Sequence, residues 1–193
     1  EEIVIKIETG TYKEIVNGEV VTRPGYDRQG GVLQETKNFT RTGYYCHKYV
    51  DDNITSKFQV GEVTQCILMR LTEFYLNYAE CLVMLDRGDE ARDFILPIRQ
   101  RVGLPDESLP ATLTMDDIMY ERRVELSFEG HRFYDVRRWK ILDKTFKDAW
   151  AVDVANDRTV EPATQTFTYF KLQTRTYDPK LYYMPIPQNE INK

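Results

Sequence analysis

Residues 67–103 read Ile67-Leu68-Met69-Arg70-Leu71-Thr72-Glu73-Phe74-Tyr75-Leu76-Asn77-Tyr78-Ala79-Glu80-Cys81-Leu82-Val83-Met84-Leu85-Asp86-Arg87-Gly88, then Asp89-Glu90-Ala91-Arg92-Asp93-Phe94-Ile95-Leu96-Pro97-Ile98-Arg99-Gln100-Arg101-Val102-Gly103. Ile67, Leu71, Phe74, Tyr78, Leu82 and Leu85 recur at three- and four-residue steps, so an amphipathic helix is predicted from near Thr64 to Gly88. Asp89 can cap a second helix with Ala91, Phe94, Ile95, Ile98 and Val102 inward, and Gly103 ends it. Two such helices joined by a few residues form an antiparallel hairpin of tetratricopeptide type. One hairpin cannot bury both of its faces, so it should pack on neighbours, some of them outside this chain. Pro97 removes a backbone donor and predicts a kink.

Downstream, Thr114 and Asp117 have the spacing of a capping box, opening a helix over about 115–129. Gly130 should bend it before a second helix runs through Trp139. Residues 143–166 give no clear signal. Phe167–Thr176 partly alternates as a strand does, and Leu181–Met184 reads as a short strand closed by Pro185-Ile186-Pro187. Upstream, Ile3–Ile7 is β-branched and extended. Asn17-Gly18 between Ile15-Val16 and Val20-Val21 supplies the two positive-φ positions of a tight hairpin over about 12–23. Residues 24–62 read as irregular loop. The expected fold is mainly α with minor β: a helical hairpin packed with further helices, long irregular loops and short β-hairpins.

Composition sets the outer bounds. The chain has 193 residues, 41% of them hydrophobic and 30% charged, which suits one folded domain and excludes disordered and fibrous classes. A net charge of −5 gives no basic face, so nucleic acid is not an expected partner. No run of apolar residues is long enough to span a bilayer as a helix. Glu1-Glu2-Ile3-Val4 reads like the middle of a longer chain, and a missing leader therefore says nothing of compartment.

Cys46, Cys66 and Cys81 lack metal-type spacing and read as small buried hydrophobes. If one helix carries Cys66 and Cys81, they lie ~22 Å apart and cannot be bridged, leaving Cys46 as the one that could reach either.

The densest chemistry is Glu121-Arg122-Arg123-Val124-Glu125-Leu126-Ser127-Phe128-Glu129-Gly130-His131-Arg132-Phe133-Tyr134-Asp135-Val136-Arg137-Arg138-Trp139. Glu121, Glu125 and Glu129 would form a like-charge column, unfavourable unless cations interleave. Arg122–Glu125, Glu129–Arg132 and Asp135–Arg138 are the pairs the spacing suggests. Two carboxylates could also serve a glycosidase, but that chemistry needs separate environments to split their pKa values, and a helix column matched by arginines supplies none. We read Glu121, Arg122, Glu125, Glu129, Arg132, Asp135 and Arg138 as a structural ion network. His131 and His47 are unpaired histidines with no ligand set around them, so no metal, cofactor or catalytic residue is expected.

This segment resembles the signature of the SusD/RagB family of glycan-binding outer-membrane lipoproteins. Gly43-Tyr44-Tyr45-Cys46-His47-Lys48-Tyr49, the Leu71–Leu85 helix with Tyr78-Ala79-Glu80-Cys81, Ile98-Arg99-Gln100-Arg101-Val102-Gly103-Leu104 and Tyr183-Met184-Pro185-Ile186-Pro187-Gln188-Asn189-Glu190-Ile191 resemble further blocks in the same order. The resemblance covers about 43–191, with 1–42 a variable β/loop segment. It implies the C-terminal portion of a non-catalytic protein, the N-terminal repeat helices and lipidated cysteine lying outside this chain. Such a protein sits on the outer face of the outer membrane, captures oligosaccharides and delivers them to a SusC-like, TonB-dependent transporter.

Sugar faces are bound by exposed aromatic planes with polar groups around them. Most of the aromatics, among them Phe74, Tyr75, Tyr78, Phe94 and Phe128, lie on helix stripes and read as core, and Trp139 reads as packed against arginine. Trp150, in the aperiodic stretch beside Asp148, Asp153 and Asn156, and Tyr44 and Tyr45 are the candidate ligand-binding residues. Two other classes compete: a helical-repeat scaffold without a sugar ligand, which leaves the Glu121–Trp139 and Met184–Pro187 blocks unexplained, and a glycoside hydrolase or other surface enzyme.

Overall fold

The computed structural model describes residues 9–25, 27–28, 39–46, 48 and 67–192. The chain divides into two units, one of Glu1–His47 with Lys140–Lys193 and one of Lys48–Trp139. The expected strand at Ile3–Ile7 and most of the 24–62 loop lie outside the described residues.

The helical unit carries α1 (Leu71–Met84), α2 (Gly88–Arg101), α3 (Met115–Glu125) and α4 (His131–Arg138). Helices α1 and α2 are joined by three residues and pack as a hairpin, with α3 against α1. Its core is Leu76, Ala79 and Leu82 from α1, Ala91, Ile95 and Ile98 from α2, Ile118 and Leu126, and Leu109 and Leu113 from the α2–α3 connection. Tyr75 and Phe94 meet edge to face at its margin, their centroids 5.9 Å apart. Thr114 accepts from the Asp117 amide, and the Asp117 carboxylate accepts from the Thr114 amide at 2.8 Å, so the capping box forms as predicted.

Several expectations differ from the structure. Helix α1 begins at Leu71 rather than near Thr64, and its buried face is Leu76, Ala79 and Leu82. Of the predicted stripe, Leu82 is buried, while Ile67, Leu71, Phe74, Tyr78 and Leu85 are exposed, as are Phe128 and Val102. Leu76 and Ala79 take the core, while Phe74 is exposed and Tyr78 lies at the margin, its ring 4.6 Å from that of Phe94 in α2. Gly88 does not stop α1 but opens α2, where a Cβ would come within 2.2 Å of the Leu113 carbonyl oxygen. That close approach lets the Leu113 amide donate to the Gly88 carbonyl at 3.0 Å. Cys46 and Cys81 are free and exposed rather than buried, and Cys66, outside the described residues, lies before the start of α1. Helix α2 runs unbroken through Pro97, and Gly103 takes φ +74° at its end.

The sheet unit is built on β1 (Thr11–Val16), β2 (Glu19–Pro24), β3 (Ala149–Asp157) and β4 (Thr164–Gln173), in the order β2-β1-β3-β4. Asn17 at φ 54° and Gly18 at φ 85° make the predicted turn between β1 and β2. β1 runs parallel to β3, with Tyr12 beside Asn156, and β3 and β4 form an antiparallel hairpin. The Thr9 hydroxyl and Gly10 amide fasten the approach to β1: Thr9 donates to Val152 O at 3.2 Å and accepts from Val154 N at 2.9 Å. Strand β3 was not foreseen, and β4 begins three residues before the predicted strand. Of the predicted strand Leu181–Met184, Leu181 and Tyr182 instead lie in a 3₁₀ turn, Pro179–Tyr182, where Asp178 accepts from the Lys180 amide. Short helices α5 (Leu142–Thr145) and α6 (Gln188–Ile191) and a 3₁₀ turn at Asp106–Ser108 complete the described elements.

Candidate functional site

The Glu121–Trp139 segment folds as α3, a turn and α4, which breaks the predicted column: Glu129 lies beyond the end of α3. Its carboxylates reach across the helical unit instead of along their own helix. Arg70, immediately before α1, donates Nη1 to Glu125 at 2.6 Å and uses Nε and Nη2 to hold Glu129 bidentately, each at 2.8 Å. Arg101 of α2 adds a second contact to Glu125 at 2.6 Å. Lys48 pairs with Glu129 and donates to the Glu125 and Ser127 carbonyls at 2.8 and 3.0 Å, the carbonyls left open where α3 ends. Arg99 donates twice to Glu121, at 2.9 and 2.6 Å.

A second cluster is deeper. Arg122 and Asp135, about 4% exposed each, meet through two contacts of 3.1 and 3.3 Å, and Arg122 also donates to the Asn77 side chain at 2.6 Å. Arg138 bridges Asp135 and Glu80, and the Trp139 indole donates to Glu80 at 2.9 Å while its ring lies under the Arg138 guanidinium at 4.4 Å. His131 lies 3.7 Å from Glu73.

The spacing-based pairs Arg122–Glu125 and Glu129–Arg132 do not form; Asp135–Arg138 does. Arg132 has no ion pair among the described residues. Burial and the neighbouring Arg123 charge hold its pKa below the usual guanidinium range. Sequence reasoning also missed Arg70, Asn77, Glu80 and Arg99 as members. The signal was present: Glu73, Asn77 and Glu80 recur at four- and three-residue steps inside an apolar helix, a polar stripe that calls for partners.

The electrostatics follow from this pairing. Burial pushes the Glu80 and Glu129 carboxyls up, but hydrogen bonds from Arg138 and Trp139, and from Arg70 and Lys48, outweigh it and hold both below the ordinary glutamate value. Arg70 is correspondingly held above the usual arginine range, chiefly by its bonds to Glu129. A cleft of about 390 Å³ lies over Lys48, Arg70, Arg101, Glu125 and Glu129, so two of the carboxylates face open space, both already paired. Among the described residues no group of three or more His, Cys, Asp or Glu could hold a metal ion. No described helix is long and apolar enough to cross a membrane.

The candidate ligand-binding residues all fall in the sheet unit. Trp150 stands on β3 opposite Lys171 of β4, with Val152 opposite Tyr169 and Val154 opposite Phe167. Facing pairs in an antiparallel ladder share a side, so Trp150, Tyr169 and Phe167 present one aromatic row, 59%, 64% and 55% exposed. Tyr169 and Phe167 did not figure among the candidates, although their alternation with Thr168 marked them. Tyr44 and Tyr45 are exposed on the segment that docks to the same strand: the Val152 amide donates to the Thr42 carbonyl at 3.0 Å. Gly43 takes φ +78° there, and a Cβ would come within 1.9 Å of the Val152 carbonyl oxygen. The Tyr45 hydroxyl donates to Asp27 at 3.0 Å, and burial together with that carboxylate pushes its pKa up to about 12.

A model of the SusD family matches residues 6–193, and the chain belongs to that family. It is 34% identical over 92 residues to a SusD-like protein of Bacteroides ovatus, covering 46% of this chain and 16% of that protein. The crystal structure of a SusD-like protein from Bacteroides fragilis is 39% identical, with a TM-score of 0.54, over 66% of this chain and 24% of the other. The chain thus spans between about a sixth and a quarter of the length of these relatives.

Proposed function

We propose that this chain is the C-terminal portion of a cell-surface protein that binds oligosaccharides without transforming them and delivers them to a SusC-like, TonB-dependent outer-membrane transporter for nutrient uptake. The observation that carries the reading is the family match over residues 6–193. A lipid anchor in the part of the protein outside this chain holds it on the extracellular face of the outer membrane. The exposed face of α1, with Leu71, Phe74 and Tyr78, receives further helices of that part and extends the hairpin into a tetratricopeptide-like stack.

Two features support binding over catalysis. Pairing with arginine or lysine keeps Glu80 and Glu129 ionised, whereas a glycosidase acid needs a carboxyl whose pKa is raised. The Trp150–Tyr169–Phe167 row offers flat apolar faces to the C–H faces of sugar rings, with Tyr44 and Tyr45 on the neighbouring segment. The ion network of Glu121, Arg122, Glu125, Glu129, Asp135 and Arg138 is architecture.

The test is a glycan-binding screen on the complete polypeptide, followed by Trp150→Ala and Tyr169→Ala. Each substitution is expected to weaken binding by roughly tenfold, the ~1–3 kcal/mol an exposed aromatic stacking contact supplies. The melting temperature should stay at the parent value, since both side chains are exposed. Undiminished binding in both variants removes the row from the site.

A further inference from the structure

The opposite side of the β3–β4 hairpin carries a different surface. Phe170 and Leu172 alternate with Tyr169 and Lys171, so they point away from the aromatic row. With Asp153 they line a cleft of about 580 Å³, closed further by Thr9, Arg28, Thr40, Arg41 and Gly43. This volume falls inside the ~300–1,000 Å³ usual for small-ligand sites.

Two arginines line this cleft. In the helical unit, Arg70, Arg99, Arg101, Arg122 and Arg138 are all tied to carboxylates. Among the described residues the side chains of Arg28 and Arg41 have neither a hydrogen bond nor an ion pair, although Asp153 lines the same cleft. The hydroxyls of Thr9 and Thr40 are already engaged, with Val152 O and Tyr44 O. Among the described residues, what remains for a ligand is two planar cations, one carboxylate and the Phe170 ring. The described lining residues thus carry one positive charge more than negative, on a chain whose net charge is −5.

The geometry points to an acidic oligosaccharide as the occupant: Arg28 and Arg41 hold a carboxylate or sulfate borne by a sugar ring whose C–H face lies on Phe170. A guanidinium's fork matches either anion through paired hydrogen bonds, which a neutral sugar cannot use as fully. Asp153 is left to accept from a ring hydroxyl. This inference rests on the glycan-binding reading above and narrows its ligand class.

The test is calorimetric titration of the complete polypeptide with a trigalacturonate, a chondroitin sulfate tetrasaccharide and a neutral cellotriose. At least one acidic ligand is expected to bind about tenfold or more tightly than cellotriose, and to weaken as salt is raised. Preference for the first ligand assigns the carboxylate, and binding of the second that is lost in the unsulfated chondroitin tetrasaccharide assigns the sulfate. Arg28→Gln with Arg41→Gln should lose about tenfold or more for the acidic ligand, and Arg28→Lys with Arg41→Lys less, because charge survives without the fork. Both arginines are exposed, and a melting temperature equal to the parent's confirms that the variants fold. Acidic-ligand binding unchanged in the double glutamine variant overturns the inference, as does neutral binding as tight as acidic; both leave glycan binding intact. Failure to bind any oligosaccharide overturns the glycan-binding reading and this inference together.

Discussion

Arg122 and Asp135 are both buried, and each satisfies the other. Removing one member strands a charge away from water, which costs ~3–5 kcal/mol. Arg122→Ala is therefore expected to lower the unfolding free energy by about 3–5 kcal/mol in urea titrations. The exposed pair Arg87–Glu90 is the control, and Arg87→Ala should leave the curve unmoved. Arg132 is the informative contrast. Its place in the motif suggests a partner for Glu129, but Arg70 and Lys48 occupy that carboxylate. Arg132→Met, which keeps the apolar stem and removes a charge held near Arg123, should cost no stability, and a loss comparable to that of Arg122→Ala would contradict the pairing.

Acid provides a second residue-scale test. Glu80 and Glu129 titrate below their unfolded value, so their contribution is complete above about pH 4.3 and is lost as pH falls through their folded values. The urea midpoint should hold from pH 7 to about 5, then fall steeply below 4. A midpoint flat to pH 3 would mean that neither pairing stabilises the fold.

Among elements, those with local chemistry were legible in the sequence. Asn17-Gly18 fixes its own turn, and Thr114 with Asp117 fixes its own helix start. Elements defined by distant partners were not. β3 spells Ala149-Trp150-Ala151-Val152-Asp153-Val154-Ala155-Asn156-Asp157, poor in strand formers, and it is a strand because β1 and β4 supply its hydrogen bonds from both sides. The phase of α1 was misread for a related reason: periodicity gives a helix two plausible faces, and packing on α2 selects one. The ion network was legible as composition but not as pairing, because its bonds cross helices.

Gly88 gives the element-scale prediction. Alanine is the better helix former, yet its Cβ would meet the Leu113 backbone, which cannot swing aside as a side chain would. Gly88→Ala should destabilise the helical unit by about 1–3 kcal/mol, read as a lower urea midpoint. An increase would show that the α2–α3 connection yields freely.

At the scale of the molecule, the helical unit is cross-tied by arginine–carboxylate bonds and the sheet unit carries the exposed aromatics on which the proposed recognition rests. Apolar and aromatic side chains left on the surface of α1 suit a chain that spans a fraction of its relatives' length. The central claim is that sugars are held here and no bond in them is broken. It is tested most directly by incubating the complete polypeptide with a panel of neutral and acidic oligosaccharides, recording binding heat and new reducing ends on the same samples. The account predicts saturable heat with at least one glycan and no new reducing ends with any. Reducing ends that accumulate with time, and vanish in a Glu125→Gln variant, would contradict it.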